Sequence, residues 1–170
     1  MKLDEHIRDI PDFPKEGIIF KDITPLLMNP SATKEVVNLI SEHFKNHGIT
    51  KVAAIESRGF IFGCPIALHL DVGLIPVRKP GKLPYSTNRI DYELEYGTDA
   101  VEIHTDAVSE EDKVLIVDDL LATGGTAEAT VKLIEKSGGQ VTGLGFVIEL
   151  GFLNGREKLS GYEILSLITY

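Results

Sequence analysis

An apolar run that ends in two carboxylates and a glycine-bearing loop, Lys113-Val-Leu-Ile-Val-Asp-Asp-Leu-Leu-Ala-Thr-Gly-Gly-Thr-Ala127, constrains this chain more than any other stretch. Val114 to Val117 has the β-branched content of a strand buried in a parallel sheet, which puts Asp118 and Asp119 at its carboxyl end. From Ala127 to Lys136 the residues are helix formers, with Ala127, Val131, Leu133 and Ile134 at roughly helical spacing. The loop thus opens onto a helix N-terminus, where free backbone N–H groups and the positive end of the helix dipole converge on an anion. A phosphate is the expected guest. Gly124 and Gly125 permit close backbone approach and unusual dihedrals, and Thr123 and Thr126 offer hydroxyl donors.

The loop holds no lysine, so it is not a Walker sequence, and its glycines lack the spacing of the dinucleotide fingerprint. Asp118 and Asp119 need a separate reason, because carboxylates repel phosphate. Their natural partners at this distance are hydroxyl groups or a phosphate-bound metal ion, and a ribose supplies two hydroxyls. Neighbouring strand residues point to opposite faces, so one aspartate is expected to reach the sugar first. The ligand read from these residues is a ribose phosphate.

The segment Val-Asp-Asp-Leu-Leu-Ala-Thr-Gly-Gly-Thr, residues 117–126, resembles the phosphoribosyl-diphosphate (PRPP) motif of the type I phosphoribosyltransferases. Asp12-Phe-Pro and Gly17-Ile-Ile-Phe-Lys-Asp-Ile-Thr-Pro25 resemble the N-terminal hood of the branch that acts on adenine, and the resemblance spans nearly the whole chain. It implies a doubly wound, mainly parallel α/β sheet in a single domain, with a small hood over residues 1–30, a core over 31–170 and a mobile lid over about 81–97. It also implies conversion of adenine and PRPP to AMP and diphosphate, with Mg2+ bound mainly through PRPP or diphosphate oxygens rather than by a protein cage.

Site residues follow from the same resemblance. Phe20 is expected to stack on the purine, with the backbone around Ile19 and Lys21 reading its edge; Phe20 as a plain hydrophobic anchor is the alternative. Relatives often carry arginine where this chain has Lys21. Asp118, Asp119, Ala122, Thr123, Gly124, Gly125 and Thr126 are expected to hold ribose and its phosphate, with the two aspartates also stabilising the cationic ribose. Ser57, Arg58 and Lys79 are the diphosphate candidates, and the family's non-proline cis peptide would fall at Glu56-Ser57. Glu95, in the well-matched Leu94-Glu-Tyr-Gly97, is the acid/base candidate, with an exposed lid carboxylate as the other reading.

Periodicity supplies the rest. Lys51 to Ile55, Gly73 to Val77, Gln140 to Glu149 and Glu163 to Ile168 read as further strands, the first ending in the polar loop Glu56-Ser-Arg-Gly59. Ser31 or Thr33 is expected to cap a helix whose apolar face is Val36, Val37, Leu39, Ile40 and Phe44. His43 and His47 share a helical edge but have no third metal ligand nearby in sequence, so they are assigned to a solvated face. The long polar stretch between Gly81 and Gly97 has the composition of a lid, and Val101 to His104 alternates like a hairpin arm or sheet edge.

A net charge of −9 argues against broad nucleic-acid binding, and Arg78-Lys-Pro-Gly-Lys82 stands out as a local cluster of three cations without an acid. No apolar run approaches membrane-spanning length. The mixed charges of Met1 to Arg8 do not resemble a secretory signal, and the single Cys64 cannot form an internal disulfide, so a cytoplasmic location is expected. A homodimer is expected from the resemblance and from the exposed flank of a short sheet. Two rival functions keep the central motif: a 6-oxopurine transferase with a different hood, and a PRPP-sensing regulator without turnover.

Overall fold

The computed structural model describes residues 1–93 and 97–170. Five strands form one parallel sheet, in the order β4 (Gly73–Val77), β3 (Lys51–Ile55), β7 (Lys113–Leu121), β8 (Gln140–Glu149), β9 (Ile164–Thr169). The chain leaves β3 through α3 (Gly59–Leu70) to reach β4 on one side. It leaves β7 through α4 (Gly125–Lys136) to reach β8 on the other. The direction of winding therefore reverses between β3 and β7, and the crevice where ligands collect in such sheets lies at the carboxyl ends of these two strands.

Each face of the sheet carries its own apolar layer. On one side α2 (Pro30–Phe44) and α3 bury Val36, Ile40, Phe44, Phe62 and Ile66 against Val52, Leu115, Val117 and Val147. On the other, Val131, Leu133 and Ile134 of α4 meet Ala53, Ile116 and Leu144, together with Val101 and Ile103 of an antiparallel hairpin, β5 (Thr87–Glu93) and β6 (Thr98–His104). The close fit has an identifiable basis at Gly63, where an added Cβ would lie 2.4 Å from the Cβ of Ala54. At the N-terminus, β1 (Arg8–Pro11) and β2 (Ile19–Asp22) pair antiparallel, followed by the short α1 (Thr24–Met28).

Several boundaries differ from the sequence expectation for physical reasons. β7 does not end at Val117 but continues to Leu121, because β8 keeps pairing with it as far as Leu121↔Glu149. Its pairing with β3 stops at Ala54↔Val117, so Asp118 and Asp119 lie inside the strand but beyond the reach of β3, on the lip of the crevice. α2 is capped neither by Ser31 nor by Thr33: Asn29 accepts hydrogen bonds from the Ser31 and Ala32 N–H groups, at 3.0 and 3.1 Å, and Pro30 occupies the first turn. Leu39 is exposed rather than part of the apolar face. Much of the stretch read as a lid is the regular strand β5, and Val101 to His104 belongs to its partner β6.

Candidate active site

Three loops converge at the carboxyl ends of β3, β4 and β7. They bound a cavity of about 280 Å³ lined by Ser57, Arg58, Lys79, Asp118, Asp119, Ala122 and Thr126, with Ile55, Glu56 and Leu120. Thr123, Gly124 and Gly125 line a smaller adjoining recess, together with Asp118, Ala122 and Thr126.

The loop read from sequence as a phosphate cradle owes its shape to two glycines that are not neighbours. Gly124, the residue before α4, has φ +80°, a left-handed conformation that favours glycine. A Cβ there would also meet the Gly155 carbonyl oxygen at 2.4 Å, and a Cβ on Gly155 would meet the Ala122 carbonyl oxygen at 2.3 Å. The loop therefore rests directly on the backbone of the 3-10 turn Gly155–Leu159. Gly125 is different. It is the first helical residue, its φ is not positive, and an added Cβ would find only ordinary contacts, the nearest at 3.6 Å on the Tyr92 ring. The unusual dihedral expected of both glycines belongs to Gly124 alone. Behind the loop, the first turn of α4 presents N–H groups that have no carbonyl four residues earlier within the helix.

The two aspartates are held close together. Asp118 Oδ1 accepts a hydrogen bond from the Asp119 N–H at 2.8 Å. Burial pushes the Asp118 carboxyl well above the ordinary aspartate range, and the neighbouring Asp119 charge adds to the effect. Burial also raises Asp119, against the opposing pull of the Arg58 guanidinium. Arg58 Nε lies 2.9 Å from Asp119 Oδ2, a charge contact without hydrogen-bond geometry, so this buried oxygen keeps its accepting capacity unused. α3 begins against the same pair: a Cβ on Gly59 would lie 2.8 Å from Asp118 Oδ1. The Glu56-Ser57 peptide preceding Arg58 is cis, as the resemblance implies.

Arg58 also faces the N-terminal hairpin, its guanidinium carbon 5.0 Å from the centre of the Phe20 ring. Phe20 in turn meets Phe13 edge-on at 5.2 Å. Ile19 is exposed and does not line the cavity. The Lys21 side chain turns away from it, its Nζ 2.7 Å from Asp9 Oδ1 and over the Tyr170 ring. The structure thus joins the diphosphate and ribose candidates in one cavity, attaches Phe20 to it through Arg58, and directs the Lys21 side chain elsewhere. Glu95 lies outside the described residues.

The cation cluster Arg78 to Lys82 is less naked than its sequence suggests. Arg78 Nε bonds Glu56 Oε2 at 2.8 Å and Lys82 Nζ lies 3.5 Å from Glu56 Oε1. Lys79 pairs with Asp99 of β6. Acids from other elements offset the cluster, leaving Lys79 as the member that lines the cavity. Tyr92 is a site residue that the sequence reading misses: its hydroxyl lies 2.7 Å from Lys79 Nζ and 3.0 Å from Thr126 Oγ1. His43 and His47, assigned to a solvated face, both bond Glu163, at 2.7 and 3.0 Å; among the described residues no group of three or more His, Cys, Asp or Glu side chains is placed to hold a metal.

The phosphoribosyl transferase domain family matches residues 22–158. The chain is 57% identical, over 168 residues and 99% of both chains, to an adenine phosphoribosyltransferase of Maridesulfovibrio salexigens. It is 55% identical, over the full length of both, to one of Kosmotoga olearia. Among solved structures, the adenine phosphoribosyltransferase of Thermoanaerobacter pseudethanolicus superposes with a TM-score of 0.96 at 53% identity, covering 99% of this chain and 98% of that one. The Saccharomyces cerevisiae enzyme, solved with an imino-altritol bisphosphate and adenine, superposes with a TM-score of 0.92 at 40% identity, covering 98% and 96%.

Proposed function

We propose, since the chain belongs to the phosphoribosyltransferase family and to its adenine phosphoribosyltransferase group, that it converts adenine and PRPP to AMP and diphosphate in purine salvage. The observation that carries this reading is the single cavity in which Arg58 and Lys79, two sequence-distant cations, face the Asp118–Asp119 pair beside the phosphate loop. A ligand that fills it needs two anionic ends with hydroxyl groups between them.

In this reading the phosphate loop, Ala122 to Thr126, holds the 5-phosphate, and Ser57, Arg58 and Lys79 hold diphosphate. Asp119 Oδ2, buried and without a hydrogen bond, is available to a ribose hydroxyl. As diphosphate leaves, positive charge develops at the anomeric carbon, and the paired carboxylates lie where they stabilise it. Phe20 covers the base, with the backbone at Ile19 and Lys21 at its edge, and residues 1–30 act as the hood. Glu95, outside the described residues, takes the acid/base role on the resemblance of Leu94-Glu-Tyr-Gly97 alone. Residues 81–97 serve as the lid that keeps water from the reactive sugar.

Magnesium fits this donor set: two carboxylates adjoin the diphosphate cations, and an ion that keeps most of its ligands from substrate oxygens and water needs no protein cage. When bound, it neutralises charge on the leaving group. The proposed compartment is the cytoplasm, supported by the lone Cys64; no helix among the described residues is long and apolar enough to cross a membrane.

We also propose a homodimer. The outward face of α3 exposes Ile61, Cys64 and Leu68 beside Leu74 on the edge strand β4, an apolar flank that a second copy covers. Sedimentation at micromolar concentration is expected to show a dimer that Leu68→Glu dissociates.

The deciding experiment for function is kcat/KM with PRPP, magnesium and each of adenine, hypoxanthine, guanine and xanthine. Adenine is expected to exceed the oxopurines by orders of magnitude, because groups placed for an amino group are left unpaired by a keto oxygen. Preference for an oxopurine would transfer the chain to the rival transferase reading, and PRPP binding without any nucleotide product would favour a sensor.

A further inference from the structure

Lys79 approaches the cavity already engaged. Its ammonium contacts Asp99 and donates to the Tyr92 hydroxyl at 2.7 Å. Tyr92 and Asp99 are register partners across the β5–β6 hairpin, so one rung of that hairpin supplies both contacts. The same hydroxyl lies 3.2 Å from Asp99 Oδ2 and 3.0 Å from Thr126 Oγ1 in the phosphate loop.

The hydrogen-bond inventory of this cluster is restrictive. A phenol oxygen has one proton and two lone pairs, so Tyr92 saturates by donating to Asp99 and accepting from Lys79 and Thr126. An ammonium has three N–H groups. Two of those on Lys79 are committed to Tyr92 and Asp99, which leaves one, and Lys79 lines the cavity into which that donor can point. Burial works to lower the Lys79 ammonium, yet its contacts with Asp99 and Tyr92 outweigh it and hold the group charged. A lysine chain free at all its torsions would lose rotamer freedom on fixing itself to a ligand. Here much of that ordering precedes binding.

We infer that Tyr92 is a positioning residue for the proposed reaction: with Asp99 it orients Lys79 toward the diphosphate end of the substrate, and through Thr126 it braces the hairpin against the loop that holds the other end. This inference rests on the proposed reading of Lys79 as a diphosphate ligand, and its test separates the two. Binding of inorganic diphosphate with magnesium is measured by calorimetry for the full-length protein and for Tyr92→Phe, Lys79→Ala and the double variant, with Asp99→Asn as a second route to the same loss. Tyr92→Phe keeps the ring against the core and removes only the hydroxyl.

Lys79→Ala is expected to weaken diphosphate binding by about tenfold or more, and Tyr92→Phe by several-fold to about tenfold. In the Lys79→Ala background, Tyr92→Phe is expected to add nothing, because the group it orients is gone. In turnover, KM for PRPP should rise in Tyr92→Phe and Asp99→Asn more than kcat falls. Should Lys79→Ala leave diphosphate affinity unchanged, the diphosphate reading of Lys79 fails and the inference fails with it. Should Lys79→Ala weaken binding while the Tyr92→Phe loss persists in full in its background, or never appears, the diphosphate reading stands and the positioning role is overturned.

Discussion

Arg58 Nε stands 2.9 Å from Asp119 Oδ2 while the same guanidinium faces the Phe20 ring at 5.0 Å, so one side chain links the loop after β3, the Asp118–Asp119 pair and the N-terminal hairpin. Arg58→Ala is therefore expected to act in two ways. Losing a charge-assisted contact of about 1.5–3 kcal/mol should weaken PRPP and diphosphate by roughly 10- to 100-fold and AMP far less, since AMP lacks the diphosphate. Removing the cation that pulls Asp119 downward should also raise that carboxyl further. The acid limb of the pH–turnover profile then moves to higher pH. Equal losses for AMP and diphosphate in calorimetry, with an unmoved acid limb, would place Arg58 outside both roles.

Asp118→Asn separates stability from activity. A carboxyl raised in the folded state binds more protons there than in the unfolded chain between the two values, so folding becomes less favourable as pH rises through that window. The penalty is complete above the folded value and absent below the ordinary value of 3.8. Asparagine keeps the oxygen that accepts from the Asp119 N–H and removes the charge. The variant should melt higher than the parent at neutral pH, with the gap closing in acid, while single-turnover rate falls about 10²-fold. A variant no more stable at pH 7 than the parent would contradict the buried, repelled state of this carboxyl.

The two glycines of the proposed phosphate loop should respond unequally. Gly124→Ala forces a side chain into a left-handed backbone, about 1–3 kcal/mol by itself, and drives its Cβ to 2.4 Å from a backbone oxygen. Binding of AMP and PRPP should be lost, with a lowered melting temperature. Gly125→Ala meets nothing closer than 3.6 Å and should fold normally. Comparable damage from both would mean that the loop is shaped by something other than the Gly124–Gly155 contact.

Asp112 offers a stability marker far from catalysis. Burial would raise its carboxyl, but the Lys51 ammonium at 2.8 Å, the Ser109 N–H and hydroxyl, and the Thr50 hydroxyl together hold it far below the ordinary range. Since the folded value is depressed, the stabilisation is present above the unfolded value of 3.8 and is lost as pH falls through the folded one. Asp112→Ala should cost about 2 kcal/mol or more at pH 7 in chemical denaturation, and much less in strong acid. Its kcat should be unchanged.

What was legible in the sequence follows interactions that are local. Strands β3, β4 and β8 are found where the apolar runs put them, and the acid pair and glycine loop stand together toward the carboxyl end of β7, as their own neighbours imply. The end of β7 was not legible, because it depends on how far β8 continues alongside. Asn29 carried a readable signal, an asparagine directly before proline, that the Ser31 and Thr33 readings passed over. Tyr92 and Asp99 were hidden for a different reason: their meeting with Lys79 and Thr126 requires the hairpin register and the Arg78↔Glu102 bridge that docks the hairpin beside β4. His43 and His47 likewise find Glu163 from 116 or more residues away.

The contact between Gly124 and Gly155 also limits how this enzyme can be rebuilt. Because Gly124 leaves room only for the backbone of Gly155, and Gly155 only for that of Ala122 and Gly124, the loop is not a transferable cassette. Grafting residues 118–126 into another scaffold would carry the ligand-facing half of a two-part mould and leave behind its backing. Directed evolution of the loop faces the same restriction: a library that varies residues 122–126 while freezing 155 samples only the shapes that this one glycine can accept.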